Sequence, residues 1–251
     1  METELEKVEV QKNGLVVRDL MKKYGSRHVV NGLCINVSPG EIVGLLGPNG
    51  AGKTTAFSMI IGLTKACSGS IFFNGSDITL LPIHKRAKLG LGYLAQEPSV
   101  FWDLTVEENI LAILETLITS SEEQQARLST LLDELSLKPL AKKKAASLSG
   151  GERRRLEITR ALTSSPSCLL LDEPFANIDP IAIQDVKAII KHLATRGIGI
   201  LITDHNAREI FSVVDRSYLV AEGKTLLSGT VQELLSNPIA RHTYFGENFQ
   251  L

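Results

Sequence analysis

Two groups of residues in this 251-residue chain have the type and spacing to handle phosphate. The first is Gly47-Pro48-Asn49-Gly50-Ala51-Gly52-Lys53-Thr54, which fits the pattern G-x-x-x-x-G-K-[ST]. Its glycines let backbone N–H groups turn inward around an anion. A helix opening at Lys53 adds partial positive charge there. Lys53 would reach the β and γ phosphates of a nucleotide. The hydroxyl of Thr54, with Thr55 beside it, would offer oxygen to Mg²⁺, a hard cation. The second group is Asp172-Glu173, reached at the end of the apolar run Cys168-Leu169-Leu170-Leu171. A buried parallel strand ending in an acid sets that acid at the carboxyl edge of the sheet, beside the phosphate loop. Asp172 would hold Mg²⁺ through water, and Glu173 would orient or deprotonate an attacking water. Alone, such a pair is commonly a strand end meeting solvent. The phosphate loop upstream turns the reading toward phosphoryl chemistry.

A third stretch, Leu148-Ser149-Gly150-Gly151-Glu152, precedes a helical pattern. Ser149 can cap that helix, and the two glycines leave its first amides bare. A second anion-binding helix end is odd in one chain unless it serves a nucleotide held by another copy.

The elements that must position these residues follow from periodicity. Strands are expected at Leu15–Tyr24, Leu33–Val37, Glu41–Gly47, Gly69–Phe73 and Gly92–Leu94, with a hairpin turn at Asn74-Gly75. Helices are expected at Lys53–Ile61 and Ile83–Leu89. Thr105–Ile118, Glu122–Leu135 and Ser149–Leu162 then form an all-helical stretch. Alternation resumes with strands Cys168–Leu171 and Ile198–Thr203 and helices Ile181–Leu193 and Ala207–Phe211. Strands Ser217–Ala221 and Lys224–Leu227 flank Glu222-Gly223, and a helix covers Val231–Leu235. Strands separated by helices imply a parallel sheet covered on both faces.

The composition narrows the class. Hydrophobic residues are 43% and charged residues 22%, which suits a globular chain. The net charge of -1 gives no global pull toward nucleic acid or anionic lipid. Cys34, Cys67 and Cys168 are far apart and lack metal-ligand spacing, so buried reduced thiols are expected. No segment approaches the ~18 apolar residues of a membrane span. The acidic start, Met1-Glu2-Thr3-Glu4, lacks the form of a signal peptide. The expected location is therefore the cytoplasm, with membrane contact only through partners. Arg153-Arg154-Arg155 reads as a solvated helix face, or as a helix held close to phosphate or to a partner's acid.

Taken together, these motifs resemble the ABC ATPase family. The LSGGE stretch joins the phosphate loop, Gln96 in Leu94-Ala95-Gln96-Glu97, Asp172-Glu173, Asp179 in Ala176-Asn177-Ile178-Asp179, and His205 in Thr203-Asp204-His205. Tyr24 stands ahead of the phosphate loop, where the family stacks adenine on an aromatic ring; by itself such a Tyr is more often core. The resemblance covers residues 14–251 and implies a single nucleotide-binding domain of α/β class. That domain would be an ABC-type P-loop NTPase with a RecA-like parallel-sheet core, an N-terminal antiparallel β subdomain and a helical insert. Core and β subdomain would take about 14–97 and 164–235, the helical subdomain about 98–163 and a C-terminal tail 236–251. The family further implies ATP and Mg²⁺ as ligands and two copies facing head to tail. ATP would lie between the phosphate loop of one copy and Ser149–Gly151 of the other. Gln96 would touch the metal and sense the γ-phosphate, His205 would hold the attacking water, and Asp179 would couple the two sites.

Within the family, the finer resemblance is to the branch that powers lipopolysaccharide export. It rests on Gly44-Leu45-Leu46-Gly47 before the loop, LSGGERRR at Leu148–Arg155, and the ending Tyr244-Phe245-Gly246-Glu247-Asn248-Phe249-Gln250-Leu251. The rings of that ending are expected to pack on a second copy or on the chain's own sheet. The other readings are an importer ATPase of the branched-chain amino acid type and a soluble ABC protein without a transport role. The resemblance implies integral-membrane permease partners on the cytoplasmic face of the inner membrane. They would dock in a groove that Phe101 and Trp102 help form. That branch commonly has basic residues after this Phe; Trp102-Asp103 stand there instead and suggest a less acidic partner segment. Each ring could alternatively plug the helical insert onto the core.

Overall fold

The computed structural model describes residues 13–246 and Phe249. Met1–Glu4 and the tail residues Glu247, Asn248, Gln250 and Leu251 lie outside the described residues.

The most apolar runs become the most buried strands. β3 (Ile42–Leu46), β7 (Cys168–Asp172) and β8 (Gly199–Thr203) are buried along their whole length. They pair in parallel with β6 (Leu91–Leu94) and β9 (Arg216–Ala221), and β10 (Lys224–Gly229) closes one edge antiparallel to β9. The sheet order is β10-β9-β3-β8-β7-β6. Side chains of one strand feed opposite cores, as a period of two requires. Leu169 and Leu171 enter one hydrophobic cluster, while Cys168 and Leu170 enter the other.

A second sheet, antiparallel and four-stranded, has the order β2-β1-β4-β5. It contains β1 (Leu15–Tyr24), β2 (Arg27–Val37), β4 (Ser68–Phe73) and β5 (Ser76–Asp77). β2 begins six residues before its apolar pattern does, at Arg27 rather than Leu33. Its first half is an edge strand with mostly exposed or half-buried side chains, so hydrophobic periodicity does not report it. The Asn74-Gly75 turn forms as expected, with Phe73 paired to Ser76. Of the three cysteines only Cys168 is buried; Cys67 is exposed and Cys34 is intermediate. The expectation of buried thiols therefore holds for one position, where burial pushes the thiol up to about 12.

The stretch 98–163 carries α3 (Val106–Leu117), α4 (Ser121–Glu134) and α5 (Gly150–Leu162). α3 and α5 both start in a capping box, Thr105 with Glu108 and Ser149 with Glu152, which satisfies orphan amides reciprocally. Their buried Leu and Ile join the cluster that also receives α6 (Pro180–Thr195) and one face of the parallel sheet.

α1 (Lys53–Ile61) starts at the phosphate loop, and its far end must be held. Gly62 closes it in the left-handed conformation. Buried Arg86, from α2 (Ile83–Lys88), then donates to the carbonyls of Met59 at 2.7 Å and Ile60 at 2.6 Å, and to Leu81 and Thr79. Arg86→Met removes the donor and leaves buried carbonyls unsatisfied. The expected loss is about 3 kcal/mol of stability and a fall in Tm on the order of 10 °C. Thermal unfolding followed by circular dichroism measures it; an unchanged Tm rejects this account of how α1 is anchored.

Candidate active site

The phosphate loop can exist only where side chains are missing. A Cβ at Gly47 would lie 2.2 Å from the carbonyl oxygen of Val220, and one at Gly52 would lie 2.4 Å from that of Val29. Gly52 also sits at φ 97°, a left-handed conformation that favours glycine. The loop is thus pressed between β9 and the β1–β2 hairpin, and the Gly223 N–H donates to Ala51 at 3.1 Å. Lys53 is buried and curls back over its own loop, donating to Gly47 O at 2.7 Å and Pro48 O at 3.1 Å. Burial pulls its pKa down, against the charges of Glu173 and Asp172. Thr54 points outward from the first turn of α1, and Thr55 is half-buried. Pro48, Asn49 and Gly50 form the exposed outer turn of the loop.

β7 delivers the two acids. Asp172 is 1% exposed and its Oδ1 has no hydrogen-bond partner. Burial first, and then the neighbouring charge of Glu173, push its pKa up to about 6. The charged carboxylate is therefore destabilised in the fold and calls for a cation. Tyr93 donates weakly to Oδ2, at 3.5 Å. Glu173 departs from the strand at φ 51°. Gln96 Nε2 donates to one of its carboxylate oxygens at 2.8 Å, and His205 Nε2 lies 2.7 Å from the other. Asp204 shapes the loop before His205 by accepting from the N–H groups of Phe175 and Asn206.

The structure therefore brings Lys53, Gln96, Asp172, Glu173 and His205 together, as the motifs and the family resemblance implied. Tyr24 is 54% exposed at the end of β1 with Lys22 Nζ 5.1 Å from its ring centroid, so it is not a core residue. Asp179 caps α6, accepting from Ile181 and Ala182. Ser149 caps α5, and Gly151 lets α5 approach α6, since a Cβ there would lie 2.4 Å from Ala182 Cβ. Among the described residues, no hydrogen bond or ion pair joins Ser149–Gly151 to the loop at 47–55.

Several expectations are corrected. Arg154 is not on a solvated face: it is 5% exposed and bonds the carbonyls of Glu173 and Pro174. Phe101 and Trp102 do not plug the insert onto the core; they are 50% and 43% exposed. The guanidinium of Arg160 lies 4.6 Å from the Phe101 ring centroid, and that of Arg153 lies 5.3 Å from that of Trp102. Positive charge thus comes from α5 where the local sequence shows Trp and Asp. The tail rings, by contrast, pack on the chain's own core, against the cluster that also takes one face of the parallel sheet. Phe245 and Phe249 stack around Phe211 of α7 (Ala207–Phe211), at 5.3 and 6.4 Å. Tyr244, against the backbone of Gly47, and Phe249 help line a cavity of about 420 Å³ that also touches His205.

Sequence reasoning missed Asn109. It is fully buried and clamps Phe101 by accepting from its N–H at 2.8 Å and donating to its carbonyl at 2.9 Å. An Asn inside an apolar helical stripe was the available signal.

A family model described as ABC transporter matches residues 30–176. The chain belongs to the ABC transporter family. It is 52% identical to the lipopolysaccharide export system ATP-binding protein LptB of Acidithiobacillus ferridurans, over 94% of this chain and 98% of that protein. It is 47% identical to the LptB of Escherichia coli K12, over 94% of this chain and 99% of the relative. An uncharacterised ABC transporter ATP-binding protein of Rhizobium meliloti is 52% identical over 94% of this chain and 88% of its own length. Among solved structures, a nucleotide-free ATP-binding cassette from an ABC transporter superposes with a TM-score of 0.84 at 28% identity, covering 93% of this chain and 99% of that one. The ADP form of the cassette MJ1267 gives 0.83 at 29% identity over the same shares.

For this ABC protein, a divalent cation fits the donors present. The buried, unpartnered Asp172 oxygen and the outward Thr54 hydroxyl are hard ligands beside a phosphate loop. Gly52→Ala tests the cradle. The added Cβ meets Val29 O in a conformation that alanine disfavours, so the loop must shift. ATP affinity should fall on the order of tenfold or more, as read by calorimetric titration of folded protein. Unchanged affinity would show that the loop has another way to accommodate the side chain.

Proposed function

We propose that this chain is the ATP-hydrolysing motor subunit of an ABC transporter that extracts lipopolysaccharide from the inner membrane toward the outer membrane. The observation that carries the enzymatic part is the carboxylate of Glu173, held between Gln96 and His205 beside the phosphate loop. The substrate rests on the likeness to LptB proteins along nearly the whole chain.

In this reading backbone N–H groups of residues 47–54 take the phosphates, and Lys53 turns from Gly47 O and Pro48 O toward the β and γ phosphates. Thr54, Gln96 and Asp172 hold Mg²⁺, which would neutralise phosphate charge. Glu173 orients a water and accepts its proton as the water oxygen bonds to phosphorus and the bond to ADP breaks. His205 holds the water in line. Tyr24 stacks the adenine.

Two copies complete the site. Ser149–Gly151 offer bare amides with no phosphate of their own, and Ile181, close by at the start of α6, is 79% exposed. A second copy covers both. Among the described residues, no helix is long and apolar enough to cross a membrane. In this reading the chain meets the inner membrane through permease subunits, seated over Phe101 and Trp102 on its cytoplasmic side.

Glu173→Gln should bind ATP and hydrolyse it about 10²–10⁴-fold more slowly, collecting as an ATP-bound dimer in sedimentation. Near-normal turnover would remove Glu173 as the base. Phe101→Ala should leave folding and ATP binding intact while lowering recovery with the permease subunits from detergent, since exposed aromatics are favoured interface anchors. Full assembly and transport by this variant, or its unfolding, would sink the groove assignment.

A further inference from the structure

Arg154 lies five residues into the segment that begins with Ser149, and its side chain leaves α5 for another motif altogether. Nε donates to Pro174 O at 2.9 Å, and NH2 donates to Glu173 O. NH1 donates to Glu157 Oε2 at 2.8 Å and reaches Ala95 O, next to Gln96, at 3.5 Å. The cation is 5% exposed and its partner Glu157 is 4% exposed. Arginine is the one side chain with a rigid fork of donors broad enough to serve three carbonyls and a carboxylate at once.

The carbonyls it grips define the active site's backbone. Glu173 is a non-glycine residue at φ 51°, a conformation that costs free energy and persists only where its surroundings impose it. Its N–H donates to Thr203 O at 2.8 Å, which fixes one side of the peptide. Arg154 fixes the other side. Gly150, four residues before Arg154 and on the same face of α5, lies against the same loop: a Cβ there would meet Asn177 O at 3.3 Å. The first turns of α5 and the loop carrying Glu173 are thus one hydrogen-bonded body.

We infer that Arg154 is a positioning residue that links the chain's two half-sites, tying the helix end at Ser149–Gly151 to the catalytic carboxylate of the same chain. A γ-phosphate arriving from the second copy at Ser149–Gly151 pulls on α5. Arg154 carries that displacement to the Glu173 backbone and, through Ala95, to Gln96. Each copy then hydrolyses its own ATP only when it also holds its partner's. The inference rests on the two-copy reading above and adds a route that this reading does not contain.

The test compares Arg154→Met and Arg154→Lys in the full chain. Expected for Arg154→Met is a kcat at least tenfold lower per folded molecule, with ATP Kd within twofold of wild type. The sigmoid dependence of turnover on ATP should flatten, its Hill coefficient moving toward one. Arg154→Lys keeps a cation against Glu157 but loses the fork. It should recover thermal stability without recovering kcat or cooperativity, and it carries the test if Arg154→Met does not fold. Wild-type kcat and cooperativity in folded Arg154→Lys would overturn the inference, as would losses that track only the folded fraction. Failure of the two-copy reading is seen separately: Glu173→Gln would then stay monomeric with ATP, whatever the Arg154 variants do.

Discussion

Two adjacent carboxylates sit at the end of a fully buried strand, and the cost of putting them there organises the surrounding structure. An ion taken out of water into a protein interior costs several kcal/mol even after relaxation. β7 buries Asp172 and Glu173 to 1% and 6% exposure. The fold answers with different devices for each. Glu173 has both oxygens engaged, by Gln96 and His205. Asp172 keeps an unpartnered oxygen and a pKa pushed to about 6, chiefly by burial. One acid is satisfied by the protein and the other is left for a cation. Lys53 is held nearby, with its own charge disfavoured by burial and favoured by the two acids.

The same economy of contact governs the phosphate loop. Backbone groups can face a ligand only if no side chain intervenes, and the neighbouring strands press close enough that none would fit. Val220 O and Val29 O occupy the space a Cβ would need at Gly47 and Gly52. The antiparallel sheet therefore does more than cover a hydrophobic face. Its β1–β2 hairpin supplies one wall of the loop and carries Tyr24 beyond it.

Fold class, the regular elements, the phosphate loop and the acid pair were legible because each has a local signal: apolar runs for buried strands, a fixed spacing for the loop, two acids after a strand. Gln96 and His205 were reached only through the family resemblance. The misses share a different property. β2's first half is a polar edge strand, and its backbone pairing leaves no mark on side-chain pattern. Arg86 and Arg154 are polar residues that serve carbonyls remote in sequence, 27 residues away for Met59 and 19 for Glu173, while Asn109 is buried against the backbone of Phe101, eight residues before it. A buried arginine serving carbonyls looks, in sequence, like a solvated one. Three consecutive arginines on α5 have three surroundings: Arg153 faces the Trp102 ring, Arg154 is buried and Arg155 is half-buried. Helical periodicity places them on different faces, yet no composition rule says which face meets the loop at 173–178.

α5 joins the loop that carries Glu173 to the exposed aromatic pair Phe101 and Trp102. Thirteen residues make a rod about 20 Å long. Its first turn presents Ser149–Gly151, its second turn grips the Glu173 loop through Arg154, and its third sets Arg160 under the Phe101 ring. Arg160 also donates to Asn109 Oδ1 at 2.6 Å, and Asn109 clamps the Phe101 backbone. A helix packed into a core at crystal-like density does not absorb a displacement by bending within three turns. A shift imposed at Ser149–Gly151 would therefore be passed along α5 to Arg160 and the Phe101 ring it faces. If Phe101 docks a partner and Glu173 orients water, as proposed, force would run the other way as well, from Phe101 through Asn109 and Arg160 to α5 and through Arg154 to the Glu173 backbone. The two ends of one helix would thus make the proposed hydrolysis and the proposed docking sensitive to each other.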